Sequence, residues 1–175
     1  MGRRPVRRRP RGPRVVLTRL FVAVYPPPSA LTPLLDALPS SSRLTALDKW
    51  HLTLVFLGDA AASPVAEALA DVPSPPPFEL RLSGGGRFGS VSWAGVDGDV
   101  AQLHELREGI RDALTLAGFP SDSRPFQPHL TVSYTPDPAL RNALAAYEGA
   151  PWPVTGFTLL ESTEGRYNRL ASWLL

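Results

Sequence analysis

Trp50-His51-Leu52-Thr53-Leu54-Val55-Phe56-Leu57 is the stretch whose reading decides the fold, because a second copy of its start occurs at His129-Leu130-Thr131-Val132. Both runs are apolar, carry β-branched residues and read as strands. Side chains at i and i+2 of a strand share a face. His51 therefore lies beside Thr53 and His129 beside Thr131. Leu52, Leu54, Leu130 and Val132 turn the other way, toward a core. Two such strands related by an approximate twofold axis would present two imidazoles and two hydroxyls to one cleft.

Working outward, residues 17–24 form an apolar run stopped by Pro26-Pro27-Pro28, which reads as a first, buried strand. Residues 29–38 have helical spacing with Ser29 as the expected cap. The strand at 50–57 should end at Gly58-Asp59. Ser63-Pro64 begins a helix over 63–72, and 73–77 is a proline-rich connector. Strands are predicted at 78–82 and 91–96, parted by a Gly84-Gly85-Gly86 loop. Residues 100–118 give a helix with a stripe of Leu103, Leu106, Ile110, Leu114 and Ala117, closed by Gly118. A strand over 129–134, a helix over 138–147 and strands over 154–162 and 168–175, joined by a Glu164-Gly165 turn, complete the chain. Strands and helices thus recur in two comparable halves, each with one His-x-Thr element. The expected class is α+β, with two lobes related by internal symmetry within one domain over 15–175.

The 175 residues suffice for one domain with a substantial core. The absence of cysteine excludes disulfides, thiolate metal sites and cysteine nucleophiles. Net charge is +2, but seven arginines crowd the first fourteen residues. From residue 15 onward, eleven basic groups face sixteen acidic ones, a net of −5. The folded part therefore has no broad electrostatic grip on nucleic acid, and any nucleic-acid end must be held by a few placed groups. The Arg-rich stretch 1–14 is expected to be a disordered tail. Arg19 interrupts the apolar run that follows it, against a signal peptide, and no run reaches the length of a membrane span. A cytoplasmic protein with no membrane association is expected.

In-line opening of a phosphodiester needs one proton removed from the nucleophile and one delivered to the leaving oxygen. Histidine titrates near neutrality, so one imidazole can wait as base and another as acid. Threonine hydroxyls can donate to the non-bridging oxygens. A lone His-x-Thr on a strand is more often packing, but two matched copies use two of only three histidines. A zinc site would want three or four ligands, and no Cys, HxxxH or HExxH completes one. His104 falls off the apolar stripe of its helix and reads as a solvated surface residue. Which of His51 and His129 is acid and which is base stays open on the residues alone.

The motifs Lys49-Trp50-His51-Leu52-Thr53-Leu54-Val55-Phe56-Leu57-Gly58-Asp59 and Pro125-Phe126-Gln127-Pro128-His129-Leu130-Thr131-Val132 resemble the two signatures of the two-histidine phosphoesterase superfamily. Within it they are most similar to the RNA 2′,3′-cyclic phosphodiesterases, also called LigT-like or 2′-5′ RNA ligase proteins. The likeness extends to Arg19–Val24, to Gly86–Gly89 with Val91–Val96, and to the closing strands. It implies pseudo-symmetric lobes of antiparallel sheet with helices outside and a central cleft, and hydrolysis of a terminal 2′,3′-cyclic phosphate to a 2′-phosphate. It further implies His51 as proton donor, His129 as proton acceptor, and Thr53 and Thr131 on the phosphate. No metal and no cofactor are implied, and a monomer acting on RNA ends or small cyclic nucleotides is expected. Other cyclic or 2′-5′-linked nucleotides, 2′-5′ RNA ligation and non-catalytic RNA-end binding are the alternatives. One departure stands out: relatives often carry a basic residue where this chain has Tyr134. The charge would then come from Arg124, Arg166 or Arg169, and strand alternation sends Tyr134 to the face opposite Thr131, where it would pack.

Deleting residues 1–14 should leave fold and turnover nearly intact and at most raise the KM for longer RNA. Circular dichroism and steady-state kinetics of the truncated protein check this, and failure to fold would make the tail structural.

Overall fold

The computed structural model describes residues 15–120 and 122–175, so the expected disordered tail at 1–14 lies outside the described residues. In chain order the elements are β1 (Thr18–Val24), α1 (Pro28–Ala37), β2 (Leu52–Ala60), α2 (Ala62–Ala70), β3 (Phe78–Phe88), β4 (Val91–Gly98), α3 (Val100–Leu116), β5 (His129–Ser133), α4 (Pro138–Ala146), β6 (Trp152–Val154), β7 (Gly156–Thr163) and β8 (Arg166–Leu174), with a 3-10 turn at Leu47–Lys49 before β2. The strands form a curled sheet in the order β6-β3-β4-β5-β2-β1-β7-β8, and every pairing is antiparallel. An approximate twofold between β5 and β2 matches β4 with β1, β3 with β7 and β6 with β8. Two four-stranded lobes result, in the expected α+β class.

The lobes are not the two halves of the sequence. β7 pairs along the free edge of β1, from Arg19↔Ser162 to Ala23↔Thr158. The C-terminal hairpin thereby completes the lobe that the first strands began. Phe157 and Leu159 join the core around Leu20 and Val22 there. Val154, expected in the same strand as 156–162, instead ends β6 and pairs with Phe78 in the other lobe.

One layer of apolar packing holds the sheet to its helices. Leu20, Val22, Leu52, Leu54, Leu80, Leu82, Leu130 and Val132 point from the strands into the same buried cluster as Leu34, Leu69, Leu103, Ile110, Leu140 and Leu144 from the four helices. Each buried side chain of this size contributes about 1.5–3 kcal/mol through removal of apolar surface from water. Phe21, Ala23 and Leu160 form a small second cluster with Tyr25 and Tyr167. Phe21 and Ala23 alternate with Leu20, Val22 and Val24, so this cluster occupies the opposite, helix-free face of the first lobe.

Several boundaries differ from the sequence reading for local reasons. β3 does not stop at the glycines but runs through them, with a register shift between Leu82 and Gly85. A Cβ on Gly85 would stand 2.6 Å from the Trp93 carbonyl oxygen and 2.7 Å from Leu144, and one on Gly86 would stand 2.5 Å from the Trp93 ring. These glycines make room for close packing within a strand rather than a loop. β2 likewise continues past Gly58 to Ala60, absorbing a bulge against β1. α1 starts at Pro28 with Pro27 before it and no side-chain cap, so Ser29 does not cap it. α2 starts at Ala62, which puts Ser63 and Pro64 inside the first turn, where a missing N–H costs nothing. Four of the five predicted stripe residues of α3 are buried and Arg107 is buried with them, whereas Ala117, the residue that caps the helix, is exposed. Gly118 behaves as expected: its φ is +84. Its N–H reaches the Thr115 carbonyl and the Phe119 N–H reaches the Leu114 carbonyl, the paired bonds that close a helix. Among the described residues no helix is long and apolar enough to cross a membrane.

Gly95 pairs directly with His129, and a Cβ there would lie 2.4 Å from the Ser83 carbonyl oxygen. Gly95→Ala should therefore destabilise the protein by roughly 1–3 kcal/mol through forced backbone movement. Denaturant unfolding reads this, and an unchanged midpoint would show that the strands yield without cost.

Candidate active site

The two lobes meet at a narrow seam. β2 and β5 share one register pair, Leu52↔Leu130, and both leucines are fully buried on the helix side. The residues on either side of each leucine must then face the other way. His51 and Thr53 come from one strand and His129 and Thr131 from the other, and all four line one cleft of about 460 Å³. Sequence alternation alone anticipated this placement, and the structure brings all four together.

A strap from the chain before β2 reinforces the seam. The Thr45 N–H donates to the Val132 carbonyl at 2.8 Å, and Thr45 Oγ1 accepts the buried Trp50 Nε1–H at 2.9 Å. Ser133 Oγ donates to the Arg43 carbonyl at 2.5 Å, while Ser42 Oγ donates to Asp137 at 2.6 Å. Trp50 sits next to His51, so the strap ties the first histidine's backbone to the second histidine's strand.

The two imidazoles have different surroundings. His129 donates from Nδ1 to the Gln127 carbonyl at 2.7 Å, which orients the ring and leaves Nε2 for the cleft. Phe88 and Trp93 flank it with ring centres 5.1 and 5.8 Å away. His51 places Nε2 3.0 Å from Thr53 Oγ1. Its Nδ1 is buried without a hydrogen bond. Rings of Phe21, Tyr25 and Tyr167 surround it at 5.2, 5.6 and 5.4 Å. Burial among these rings pushes the His51 pKa down to about 4; the nearby Lys49 backbone pulls in the other direction, and the charge of His129 adds to the lowering. At neutral pH His51 is therefore uncharged.

The cations of the cleft are Lys49 and Arg19; none of Arg124, Arg166 and Arg169 lines it. Arg124 is paired with Asp122, and Arg169 stacks on Tyr25 with 4.1 Å to the ring centre. Lys49 lies over the Tyr167 ring at 5.6 Å. The signal for both was present: Lys49, the only lysine, stands two residues before His51, and Arg19 alternates with Phe21 on the helix-free face of β1. Tyr134 also departs from expectation. The strand ends at Ser133, whose buried hydroxyl is held by the Arg43 carbonyl and accepts the Thr135 N–H at 3.1 Å. This breaks the alternation, and Tyr134 lines the cleft, 61% exposed. His104, expected to be solvated, is half-buried with its ring edge-on to Phe126 at 5.1 Å. It lines neither the cleft nor the adjoining groove that ends at His129.

Paired His-x-Thr strands meeting in one cleft of a two-lobed antiparallel sheet define a two-histidine phosphoesterase. The family model of the 2′-5′ RNA ligase superfamily matches residues 26–166, and the chain belongs to that superfamily. An RNA 2′,3′-cyclic phosphodiesterase of Escherichia coli is 32% identical over 151 residues, 78% of this chain and 82% of that protein. One of Geobacillus stearothermophilus is 40% identical over 95 residues, 49% of this chain and 30% of that protein. The crystal structure of E. coli LigT complexed with 3′-AMP superposes with a TM-score of 0.72 at 27% identity, covering 91% of this chain and 98% of that one.

NMR titration of the ligand-free protein should place the His51 pKa well below the ordinary 6.5, near 4. Because the folded chain refuses a proton that the unfolded chain accepts at about 6.5, stability should fall as pH drops from there toward 4. A His51 that titrates at its ordinary value would remove the burial argument.

Proposed function

We propose that this protein opens the 2′,3′-cyclic phosphate at RNA 3′ ends, leaving a 2′-phosphate, with His51 and His129 as an acid–base pair. The convergence of both His-x-Thr elements on one cleft carries this reading. Family membership and the relatives named RNA 2′,3′-cyclic phosphodiesterase support the substrate class.

Water attacks the phosphorus in line with the bond to the ribose 3′-oxygen. His129 Nε2 takes a proton from the attacking water as the new P–O bond forms. The P–O3′ bond breaks, and His51 Nε2 gives its proton to the 3′-oxygen. Thr53 and Thr131 donate hydrogen bonds to the non-bridging oxygens, and Lys49 and Arg19 offset their charge. These donors are set in place before the reaction, which is what makes such contacts effective in a transition state.

The depressed pKa of His51 does not conflict with its role as donor. A phosphodiester carries one negative charge, and its arrival between the imidazoles favours the protonated ring. The site would then arm its acid only when substrate is bound. After turnover the pair holds one proton in the opposite arrangement, and exchange with solvent restores it. Both histidines belong to one chain, which supports a monomer as the acting unit, and the cytoplasm is the expected compartment.

His51→Ala and His129→Ala should each lower kcat by about 10²–10⁴-fold on an oligonucleotide with a 2′,3′-cyclic end, the usual worth of a positioned acid or base. The double variant should lose far less than the product of the single losses, because the pair acts as a unit. Near-normal turnover in either single variant, with the fold intact, would end the proposal.

A further inference from the structure

α3 places a charged side chain where the two histidine-bearing strands part. Arg107 is the one buried charged residue among the described residues, 7% exposed. Its Nε donates to the Leu54 carbonyl at 3.0 Å. Leu54 follows Thr53 directly and has no register partner in β1 or β5. The antiparallel pairing of Leu52 with Leu130, continued by two residues, would set Leu54 opposite Pro128. Proline has no N–H to donate. The guanidinium thus supplies a donor to β2 at the point where a ladder to β5 can no longer do so.

The same guanidinium reaches the other motif. It lies 4.7 Å over the Phe126 ring, and His104, one turn earlier on α3, meets that ring edge-on at 5.1 Å. Glu108 holds the Arg107 Nη1 at 2.8 Å. Phe126 is followed by Gln127, whose carbonyl takes the His129 Nδ1–H at 2.7 Å. Residues 125–128 belong to no helix or strand. A residue before proline is restricted to extended conformations, so Gln127 has little freedom of its own and its carbonyl follows Phe126. Leu54, Arg107, Phe126, Gln127 and His129 all line the groove beside the cleft. Packing alone would not call for a guanidinium here, because an apolar side chain of similar length fills such a space without the cost of removing a charge from water. An apolar chain cannot donate to Leu54 and lie charged over Phe126 at once.

We propose that Arg107 is a positioning residue, a clamp between the two motifs that fixes Phe126 and, through the Gln127 carbonyl, the tautomer and aim of the His129 imidazole. Its effect on turnover rests on the reading of His129 as the base that activates water. That role needs the proton on Nδ1 and a free Nε2. Without the clamp the Gln127 carbonyl drifts, the ring turns, and the proton is free to move to Nε2, where it blocks acceptance from water. Thr53, Thr131, Lys49 and Arg19 keep their places in the cleft, so substrate binding is spared and the loss falls on kcat.

Arg107→Met keeps the length of the side chain and removes its donors and charge. Its kcat on a cyclic-ended oligonucleotide should fall by about 100-fold, the cost that a misplacement of about 1 Å can carry, with KM nearly unchanged. Nitrogen-15 NMR of the substrate-free protein at alkaline pH should show the His129 proton on Nδ1 in the wild type and a mixture of tautomers in the variant, while the His51 signals stay in place. Phe126→Leu should give the same change. The variant with both substitutions should lose no more than the larger single loss, because both act through one contact. A wild-type kcat in Arg107→Met, an unmoved His129 tautomer in the folded variant, or losses that multiply in the double variant would overturn the clamp. If Arg107→Met does not fold, Phe126→Leu decides by the same NMR reading. A wild-type protein inactive on cyclic ends would instead overturn the reading of the cleft, and the NMR comparison, which needs no substrate, would still decide the clamp.

Discussion

The pairing of Leu52 with Leu130 is the contact on which the site depends. It is the one register pair between β2 and β5, and it puts two side chains into the core at the point where the lobes join. Backbone alternation does the rest: whatever flanks those leucines must face the cleft. Burying the leucines and presenting the histidines are a single event. The lobes join through this single pair, and the cleft is lined from both of them. The strap through Thr45, Trp50 and Val132 supplies the rigidity that so short a seam lacks.

This arrangement makes two nearly equal motifs chemically unequal. The twofold is good enough to place both imidazoles at one cleft, but their surroundings differ. His129 is oriented by a carbonyl and flanked by Phe88 and Trp93. His51 is enclosed by Phe21, Tyr25 and Tyr167, and burial holds it neutral at neutral pH. Acid–base catalysis by a pair requires different protonation states at one pH. Asymmetric aromatic packing on a symmetric backbone is one physical route to that difference.

What the sequence made legible followed from local rules. The period of two placed His51, Thr53, His129 and Thr131 on a face opposite four buried apolar residues, and the helical period found α3 with its Gly118 terminus. What it missed required knowledge of neighbours. Gly85 and Gly86 look like a loop until Trp93 and Leu144 are seen pressing on the strand. Val154 and Gly156 look continuous until β6 and β7 are found in different lobes. Tyr134 reads as core by alternation, and only the tertiary bond from Ser133 to Arg43 shows why the alternation ends one residue earlier. Arg107 lies outside the predicted apolar stripe, yet its Nε reaches the Leu54 carbonyl at 3.0 Å and its guanidinium lies 4.7 Å over Phe126, so it is buried against β2. Each miss is a case of long-range contact overriding a local pattern.

The central claim is that the two histidines act from opposite sides of one cyclic phosphate, with the 3′-oxygen leaving toward His51. The position of the product phosphate reads this most directly. Phosphorus NMR of an oligonucleotide ending in a 2′,3′-cyclic phosphate, followed during turnover by the purified protein with EDTA present, resolves the 2′- and 3′-monoesters. The account predicts conversion to the 2′-phosphate alone. A 3′-phosphate product, or an untouched cyclic ester, would contradict it.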